Sequence, residues 1–339
     1  MKPLNYSIPF LFLATAPLGF LLGGAWSFLT LAVMPVSLCG LDLLLGFDST
    51  SRTNGSGYRL LPWLYIVLQI AVIAFAAIAV TAPETTFVEA LGLTLSVGVT
   101  AGVFGILAAH EMVHSPIAGE RALGLTMLAC VGYMHFRIAH IHGHHVRGAT
   151  FDDPATARRG ENAYAFIGRS VVGQFREAWA FEAARLRHRQ LPTFGPSNRM
   201  LFYLAVEIAI AAGFAIFDLR SLAFWLAQAA LAVVLLELFN YIAHYGLARR
   251  RKPEGGFEPI APRHSWNSLR RMNNWSLFNM GRHSDHHRRP TQEYQYLAAD
   301  PEAPQLPAGY AGAIFCALIP PLWRRIMDPK VEFWSRVPS

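Results

Sequence analysis

Residues 91–114, LGLTLSVGVTAGVFGILAAHEMVH, run from an apolar stretch directly into a pair of histidines. The apolar stretch, residues 86–109, is long enough to cross a bilayer, since a spanning helix needs about 20 mostly apolar residues. His110 and His114 are four residues apart, so on a helix both imidazoles lie on one face, one turn apart. This segment predicts a membrane-spanning helix that carries two metal-binding side chains at one end.

The whole chain has the composition of a membrane protein. Of its 339 residues, 53% are hydrophobic and 15% are charged, whereas soluble globular proteins carry about 25% charged residues. We therefore predict an all-α integral membrane protein that forms a single domain over residues 1–339, with six spans that very short turns join into three hairpins. The predicted spans are 8–25, 27–47, 62–82, 86–109, 200–217 and 221–246.

Two further apolar stretches are too short or too interrupted to span. Residues 122–134 are predicted to form a buried or re-entrant helix, and residues 311–323 an interfacial segment or one covered by protein. Cys39, Cys130 and Cys316 lie far apart in apolar runs and form no CxxC pair, so the sequence predicts neither disulfides nor a cysteine-bound metal.

Lysine and arginine residues are concentrated on one side of the predicted spans. The turns GGAWS and APETT contain none and FDLRS contains only Arg220, whereas the loop after the second span contains Arg52 and Arg59. Eleven arginines fall in the segment 115–199, and fourteen lysine plus arginine residues follow residue 247. By the positive-inside rule, both termini and the histidine-rich segments lie in the cytoplasm. The net charge of +7 follows from the same bias and does not indicate a nucleic-acid partner.

Ten of the 13 histidines fall into four segments on the predicted cytoplasmic side, HEMVH, HIHGHH, NYIAHYG and HSDHH, and nine of them, all but His142, are candidate metal ligands. Imidazole binds Zn, Fe, Cu and Ni, and one zinc ion takes three or four protein ligands. Nine imidazoles are too many for one ion and enough for two, and each doubled histidine can serve both. The candidate ligands are His110, His114, His140, His144, His145, His244, His283, His286 and His287. The histidines not predicted to bind metal are His135, His142, His188 and His264.

Two other interpretations of the histidines are weaker. The first cluster also fits the HExxH pattern of zinc proteases, with Glu111 as general base, but those enzymes do not carry two further doubled-histidine clusters. A metal transporter or sensor is expected to place its ligands near the middle of the membrane on broken helices. These clusters lie at the cytoplasmic ends of the spans or beyond them.

The sequence segments around the histidines resemble those of a known family. The segments HHVRGATFDDPATAR (144–158), NYIAHYGL (240–247) and GRHSDHHRRPTQEYQYL (281–297) resemble those of the alkane 1-monooxygenases, within the fatty acid desaturase and hydroxylase superfamily. Four spans precede the first histidine cluster, as in that family. The resemblance extends from the first span to about residue 328.

The resemblance implies a non-haem di-iron centre held by the nine histidines. It implies O2-dependent hydroxylation of the terminal methyl group of a medium-chain alkane to a primary alcohol. The hydrocarbon would enter from the bilayer of a bacterial inner membrane. Electrons would come from a separate rubredoxin and a rubredoxin reductase, with NAD(P)H acting only through the reductase.

One departure from the family pattern leaves the substrate open. Ala243 stands where alkane hydroxylases usually carry a glutamate before the lone His244. Related enzymes that hydroxylate methyl groups on aromatic rings tolerate another residue there, so an aromatic methyl is an alternative substrate. A lipid or acyl desaturase with the same two irons is a third possibility. Glu237 shares a helix face with His244, as a compensating partner of the metal-bound imidazole or as a structural polar residue.

Three carboxylates beside the histidine clusters are candidates for a catalytic role: Glu111, Asp153 and Asp285. A carboxylate there can accept a hydrogen bond from the outer nitrogen of a metal-bound imidazole and so fix its tautomer. Solvation at the surface is the alternative. The residues suggested as lining an apolar substrate channel, with core packing as the alternative, are Leu93, Val97, Phe104, Leu107 and Phe239.

Overall fold

The computed structural model describes residues 3–48 and 57–337, and the regular structure within these ranges is helical. The six predicted spans are confirmed, with ends that shift by a few residues, and the chain is a multi-pass membrane protein. The spans are α1 (Pro3–Leu22), α2 (Gly24–Leu45), α3 (Leu60–Ala79), α4 (Phe87–Val113), α5 (Arg199–Phe217) and α6 (Leu219–His244). Arg52, counted above for topology, lies outside the described residues.

The turns of the first two hairpins are tied together by Glu89. α4 begins with a capping box, in which the Thr86 hydroxyl accepts from the N–H of Glu89 and the Glu89 carboxylate accepts from the N–H of Thr86. The same carboxylate accepts a hydrogen bond of 2.7 Å from the N–H of Gly24, in the tight turn between α1 and α2. This contact fixes the two hairpins to each other at the ends that carry no histidines.

α4 and α6 form the centre of the bundle, and α4 is the most buried span. A π-helical turn, Ala101–Gly105, interrupts α4 just before its histidines, and such turns are frequent at functional sites. A Cβ on Gly102 would lie 2.8 Å from the Cα of Ala232 in α6, so glycine permits this close approach. Because both helices run in the same direction, their packing brings the histidines at their ends together.

An amphipathic helix, Ala163–His188, was not predicted from the sequence. Asn162 begins it by accepting a hydrogen bond from the N–H of Ala165. Near its end, the buried carboxylate of Glu182 accepts hydrogen bonds of 2.8 Å from Arg185 and Arg199. Burial alone would raise the pKa of Glu182, but the two guanidinium groups lower it to about 2. The ionised carboxylate thus joins this helix to the first turn of α5.

The shorter apolar stretches form helices that lie against the bundle. Residues 122–134 fall largely within the helix Ala118–Cys130, which packs on α4. Residues 311–323 fall within two helices, Gly309–Ala317 and Pro320–Arg336. The first of these packs on α2 and α6. The second begins with two prolines, which fit there because the first N–H groups of a helix have no intrahelical partner.

Candidate metal centre

The structure brings the nine candidate histidines together as two buried or half-buried groups. Within each group, one ring nitrogen from every member lies within 4.8 Å of the corresponding nitrogens of the others. The five-histidine group is His110, His114, His140, His145 and His286. The four-histidine group is His144, His244, His283 and His287.

The two doubled histidines divide between the groups. His144 belongs to the four-histidine group and His145 to the five-histidine group, and His287 and His286 divide in the same way. The second cluster achieves this with a π-helical turn, His140–His144, which shifts the register of the following side chains. The third cluster lies on the short helix that begins at His283. Each doubled histidine therefore connects both groups through one peptide bond.

The nitrogen spacing in the five-histidine group fits a shared cation. The Nε2 atoms of His110 and His140 are 2.8 Å apart, those of His140 and His145 are 2.9 Å apart, and His114 lies 3.1 Å from both His140 and His145. Two nitrogens bound at right angles to one ion, at about 2.1 Å, lie about 3.0 Å apart. A neutral imidazole has a single N–H, so mutual hydrogen bonds cannot satisfy all of these pairs.

The four-histidine group has the same spacing. The Nε2 atoms of His244, His283 and His287 lie 3.0–3.1 Å from one another. The Nε2 atom of His144 is buried without a hydrogen-bond partner, which leaves its lone pair available to a bound ion. Two ion-sized clusters of nitrogen donors therefore lie side by side.

Burial keeps the imidazoles outside the spans neutral, which is the form that binds a metal ion. Burial lowers the pKa of His114 to about 4. It also lowers the pKa of five other candidate ligands well below the usual range, and neighbouring imidazoles lower it further. These five are His140, His145, His283, His286 and His287.

Asp153 holds the outer nitrogen of His144. Its Oδ2 lies 2.8 Å from Nδ1 of His144 and accepts a 2.7 Å hydrogen bond from the hydroxyl of Thr156. Burial alone would raise the pKa of this carboxyl, but His144 and the Thr156 hydroxyl lower it to about 2. The ionised carboxylate accepts the Nδ1–H of His144. The unprotonated Nε2, which can bind a metal ion, therefore points into the four-histidine group. Such carboxylate contacts orient metal ligands and raise their basicity.

The outer nitrogen of His244 meets the main chain instead. Its Nδ1–H donates to the carbonyl oxygen of His264 at 3.3 Å, while Ala243, which precedes it, is buried in the core. The lone histidine therefore has an outer partner although no glutamate stands at position 243. Every residue has a backbone carbonyl, so residue types do not reveal which one accepts this hydrogen bond, and the contact was not predicted.

Glu111 and Asp285 do not make the predicted contact to an imidazole. Glu111 accepts a hydrogen bond from the N–H of Tyr294 at 3.0 Å. Asp285 accepts from the N–H of Ala298 at 2.8 Å and pairs with Arg289. Both carboxylates satisfy N–H groups of the chain that follows the third histidine cluster, so they position that segment.

Glu237 belongs to a buried polar network rather than to the histidine groups. Its carboxylate accepts hydrogen bonds from the Tyr133 hydroxyl at 3.1 Å and from the Gln174 amide at 2.8 Å. Asn240 donates to the other oxygen at 3.4 Å. The contacts of this side chain support the structural interpretation over that of a partner for His244.

An apolar cavity of about 350 Å³ leads to both histidine groups. It is lined by side chains of α2, α4, α6 and the helix Gly309–Ala317, and it reaches His110, His140 and His283. Among the suggested lining residues, Leu107 and Phe239 do line it. The others pack in the core without lining it: Leu93, Val97 and Phe104.

Gly143→Ala is expected to displace the second histidine cluster. A Cβ at this position would collide with the carboxylate of Glu177 and lie 3.1 Å from the ring of Phe181. Overpacking of this kind costs about 1–3 kcal/mol, and here it acts on the turn that carries His144. We expect a lower unfolding temperature and reduced iron content, measured by thermal unfolding and elemental analysis. Gly168→Ala is the control, because nothing lies within 4 Å of its added Cβ, and unchanged iron in both variants would contradict the prediction.

Comparison with known proteins agrees with the resemblance in the sequence. Residues 84–315 match the family model described as fatty acid desaturase. The chain is 40% identical over 319 residues to alkane 1-monooxygenase 1 of Pseudomonas aeruginosa, covering 91% of this chain and 83% of that protein. It is 39% identical to the alkane 1-monooxygenase of Pseudomonas putida over 82% of this chain and 69% of that protein. It is 28% identical to the xylene/toluene monooxygenase hydroxylase component of Pseudomonas putida, over 99% and 91% of the two chains. The chain therefore belongs to the fatty acid desaturase family and, within it, to the alkane 1-monooxygenases.

Proposed function

We propose that this protein uses O2 to hydroxylate the terminal methyl group of medium-chain alkanes, giving primary alcohols. The observation that carries the proposal is the apolar cavity that runs between the spans and ends at two groups of metal-binding histidines. Its lining is suited to a hydrocarbon. The 40% identity to an alkane 1-monooxygenase supports the same substrate class.

We propose that the nine histidines hold two iron ions. The five-histidine group would hold one and the four-histidine group the other, with Asp153 and the carbonyl of His264 fixing two of the rings. The irons supply the O2 chemistry, because no side chain can oxidise an unactivated methyl group. The reaction consumes one alkane, one O2, two electrons and two protons and yields one alcohol and one water.

The chain's own contribution is to position the methyl group and exclude water. The cavity follows α2 from Leu31 to Asp42 and α4 from Val99 to His110. Eleven residues of helix correspond to about 16 Å, so an extended alkyl chain can lie along the bundle with one end at the histidines. The end of the cavity away from the histidines is lined by aliphatic side chains, which suit the rest of the alkyl chain.

Hydroxylation of a methyl group on an aromatic ring is a second candidate. The observation that favours it is Ala243, at the position where alkane hydroxylases usually carry glutamate. The 28%-identical relative is named as a xylene/toluene monooxygenase component. The higher identity to the alkane enzymes makes the alkane reaction the first choice.

We further propose that electrons come from a rubredoxin and its NAD(P)H-dependent reductase. The protein would lie in a bacterial inner membrane, with both termini and the histidine groups on the cytoplasmic side. The arginines that follow the histidine-bearing ends of the spans support this orientation, and an acidic carrier would be attracted to them.

Feeding experiments test the reaction directly. The chain is expressed with a rubredoxin and a reductase, cells receive octane, hexadecane or p-xylene, and products are identified by gas chromatography. We expect 1-octanol from octane and about two irons per chain by elemental analysis. An octene would indicate a desaturase, and a product from p-xylene alone would indicate an aromatic-methyl hydroxylase. The absence of any oxygenated product, or full activity in a zinc-only preparation, would contradict the proposal.

A further inference from the structure

Within the described residues, two surface regions that differ in charge lie close to the histidine groups. Beside His114 lies a polar cleft of about 100 Å³ whose walls include Glu111, Glu120 and Glu293. Arg59 lies in the same cleft, where it pairs with Glu120 at 2.6 Å and lies 3.9 Å from Glu293. Arg121 donates to the carbonyls of Ser115 and Pro116 in the wall of the cleft. The cleft therefore offers no excess of positive charge to an acidic protein.

The second place lies over the four-histidine group at Gly148. A Cβ on Gly148 would lie 3.2 Å from Cε1 of His287, so the buried backbone of this glycine packs directly against that ring. On either side, Val146 and Phe151 are 62% and 60% exposed. His145, of the five-histidine group, is itself half-buried here. Exposed side chains thus lie next in sequence to His145 and two or three residues from the glycine that contacts His287.

A basic segment borders these two apolar side chains. The N–H of Arg249 donates to the carbonyl of Ala149 at 2.7 Å, and its guanidinium donates to the carbonyl of Val146 at 3.0 Å. Residues 249–263 contain five lysine and arginine residues and two glutamates. Arg250, Arg251 and Lys252 are exposed. An apolar centre with a cationic rim is the composition of a docking site for an acidic protein, in which charge guides the encounter.

We infer that an acidic one-electron carrier docks on the electron-entry patch, defined as Val146, Phe151, Arg250, Arg251 and Lys252. The inference rests on the proposed function and names the place at which its electrons enter. The path from the patch to the metal-binding nitrogens runs through the backbone of Gly148 and the ring of His287. Each carrier is oxidised by one electron, so two successive dockings supply the two electrons that one turnover requires.

The test compares two charge reversals that change the net charge equally. Arg251→Glu/Lys252→Glu alters the electron-entry patch. Arg187→Glu/Arg189→Glu alters exposed arginines at the far end of the helix Ala163–His188. Each protein is placed in nanodiscs of zwitterionic lipid, and iron content and monodispersity are checked before use.

Binding of purified rubredoxin is measured by biolayer interferometry over a range of salt concentrations. We expect the patch variant to raise Kd at least tenfold at low salt and to flatten its salt dependence, because charge attraction is screened within about 10 Å at 0.1 M salt. The control variant is expected to stay within twofold of wild type. Equal weakening in both variants, or in neither, would overturn the inference. So would an unchanged Kd for rubredoxin together with reduced binding of anionic vesicles, which would assign the patch to lipid.

A second readout separates this inference from the proposed function. Octane hydroxylation is driven either by reduced rubredoxin or by dithionite, which needs no docking site. We expect the patch variant to lose rate at least tenfold with rubredoxin and to match wild type with dithionite. Equal loss with both reductants would overturn the docking site. If wild type makes no alcohol with either reductant, the proposed function fails, while the binding measurement still decides the docking site.

Discussion

Asp153→Asn is expected to weaken iron binding in the four-histidine group by about 10–100-fold, the usual effect of losing an outer partner of a metal ligand. Both oxygens of Asp153 accept hydrogen bonds, Oδ1 from the N–H of Ala155 and Oδ2 from Thr156 and His144. In asparagine, the amide nitrogen would replace one of these two oxygens and would face a hydrogen-bond donor instead of accepting from it. If it faces His144, the ring proton moves to Nε2, and the nitrogen that points into the group can no longer bind an ion.

Iron retention measures this effect. The wild-type protein and the variant are titrated with a chelator, and the iron remaining per chain is determined at each step. We expect the variant to lose its iron at a much lower chelator concentration than the wild type, with hydroxylation lost in parallel. Asp152→Asn is the matched control, because that neighbouring carboxylate is exposed. Identical titration curves for Asp153→Asn and wild type would contradict the role assigned to this contact.

Asp48→Asn is expected to destabilise the fold by about 3–5 kcal/mol, because it leaves a buried guanidinium without its counter-charge. Arg282 is 1% exposed. Its Nη2 lies 3.0 Å from Oδ2 of Asp48, and its Nη1 donates to the carbonyl of Leu297 at 2.6 Å. Arg282 directly precedes the third histidine cluster, so the pair fastens that cluster to the segment after α2.

Unfolding in detergent, followed by circular dichroism, measures this loss. Asp218→Asn is the control, since its partner Arg220 is largely exposed and exposed pairs contribute only about 0–1 kcal/mol. In the double variant Asp48→Asn/Arg282→Met neither charge of this pair remains, and we expect it to recover most of the lost stability. A loss no larger than that of the control would contradict the assignment.

The sequence predicted the spans and the convergence of the histidines for physical reasons that act locally. Twenty apolar residues have few alternatives to a membrane helix. Histidines at three- and four-residue spacing share one helix face, and several such clusters on one side of the membrane favour a common metal site. The helix Ala163–His188 escaped prediction because charged and polar residues interrupt its apolar ones, so it contains no apolar run long enough to span a membrane. Its anchoring carboxylate, Glu182, pairs with an arginine seventeen residues away.

The outer partners of the histidines could not be ranked from the sequence. Glu111, Asp153 and Asp285 all lie beside histidine clusters, yet only Asp153 contacts an imidazole. The difference depends on where each ring turns its outer nitrogen, which is set by tertiary packing. The division into five and four depends likewise on the two local turns that carry the doubled histidines, a π-helical turn at His140–His144 and a short α-helix that begins at His283. Such short turns leave no clear signature in the order of residues.

If the nine histidines hold two irons as proposed, the paired residues His144–His145 and His286–His287 couple the binding of the two ions. Each pair assigns adjacent residues to different groups, so ordering one group fixes the backbone that presents ligands to the other. The first ion therefore bears most of the conformational entropy cost, and the second binds a surface already organised. Such coupling is reciprocal: losing either ion loosens the grip on its neighbour. Chains with a single ion should be scarce, with most holding either both or none.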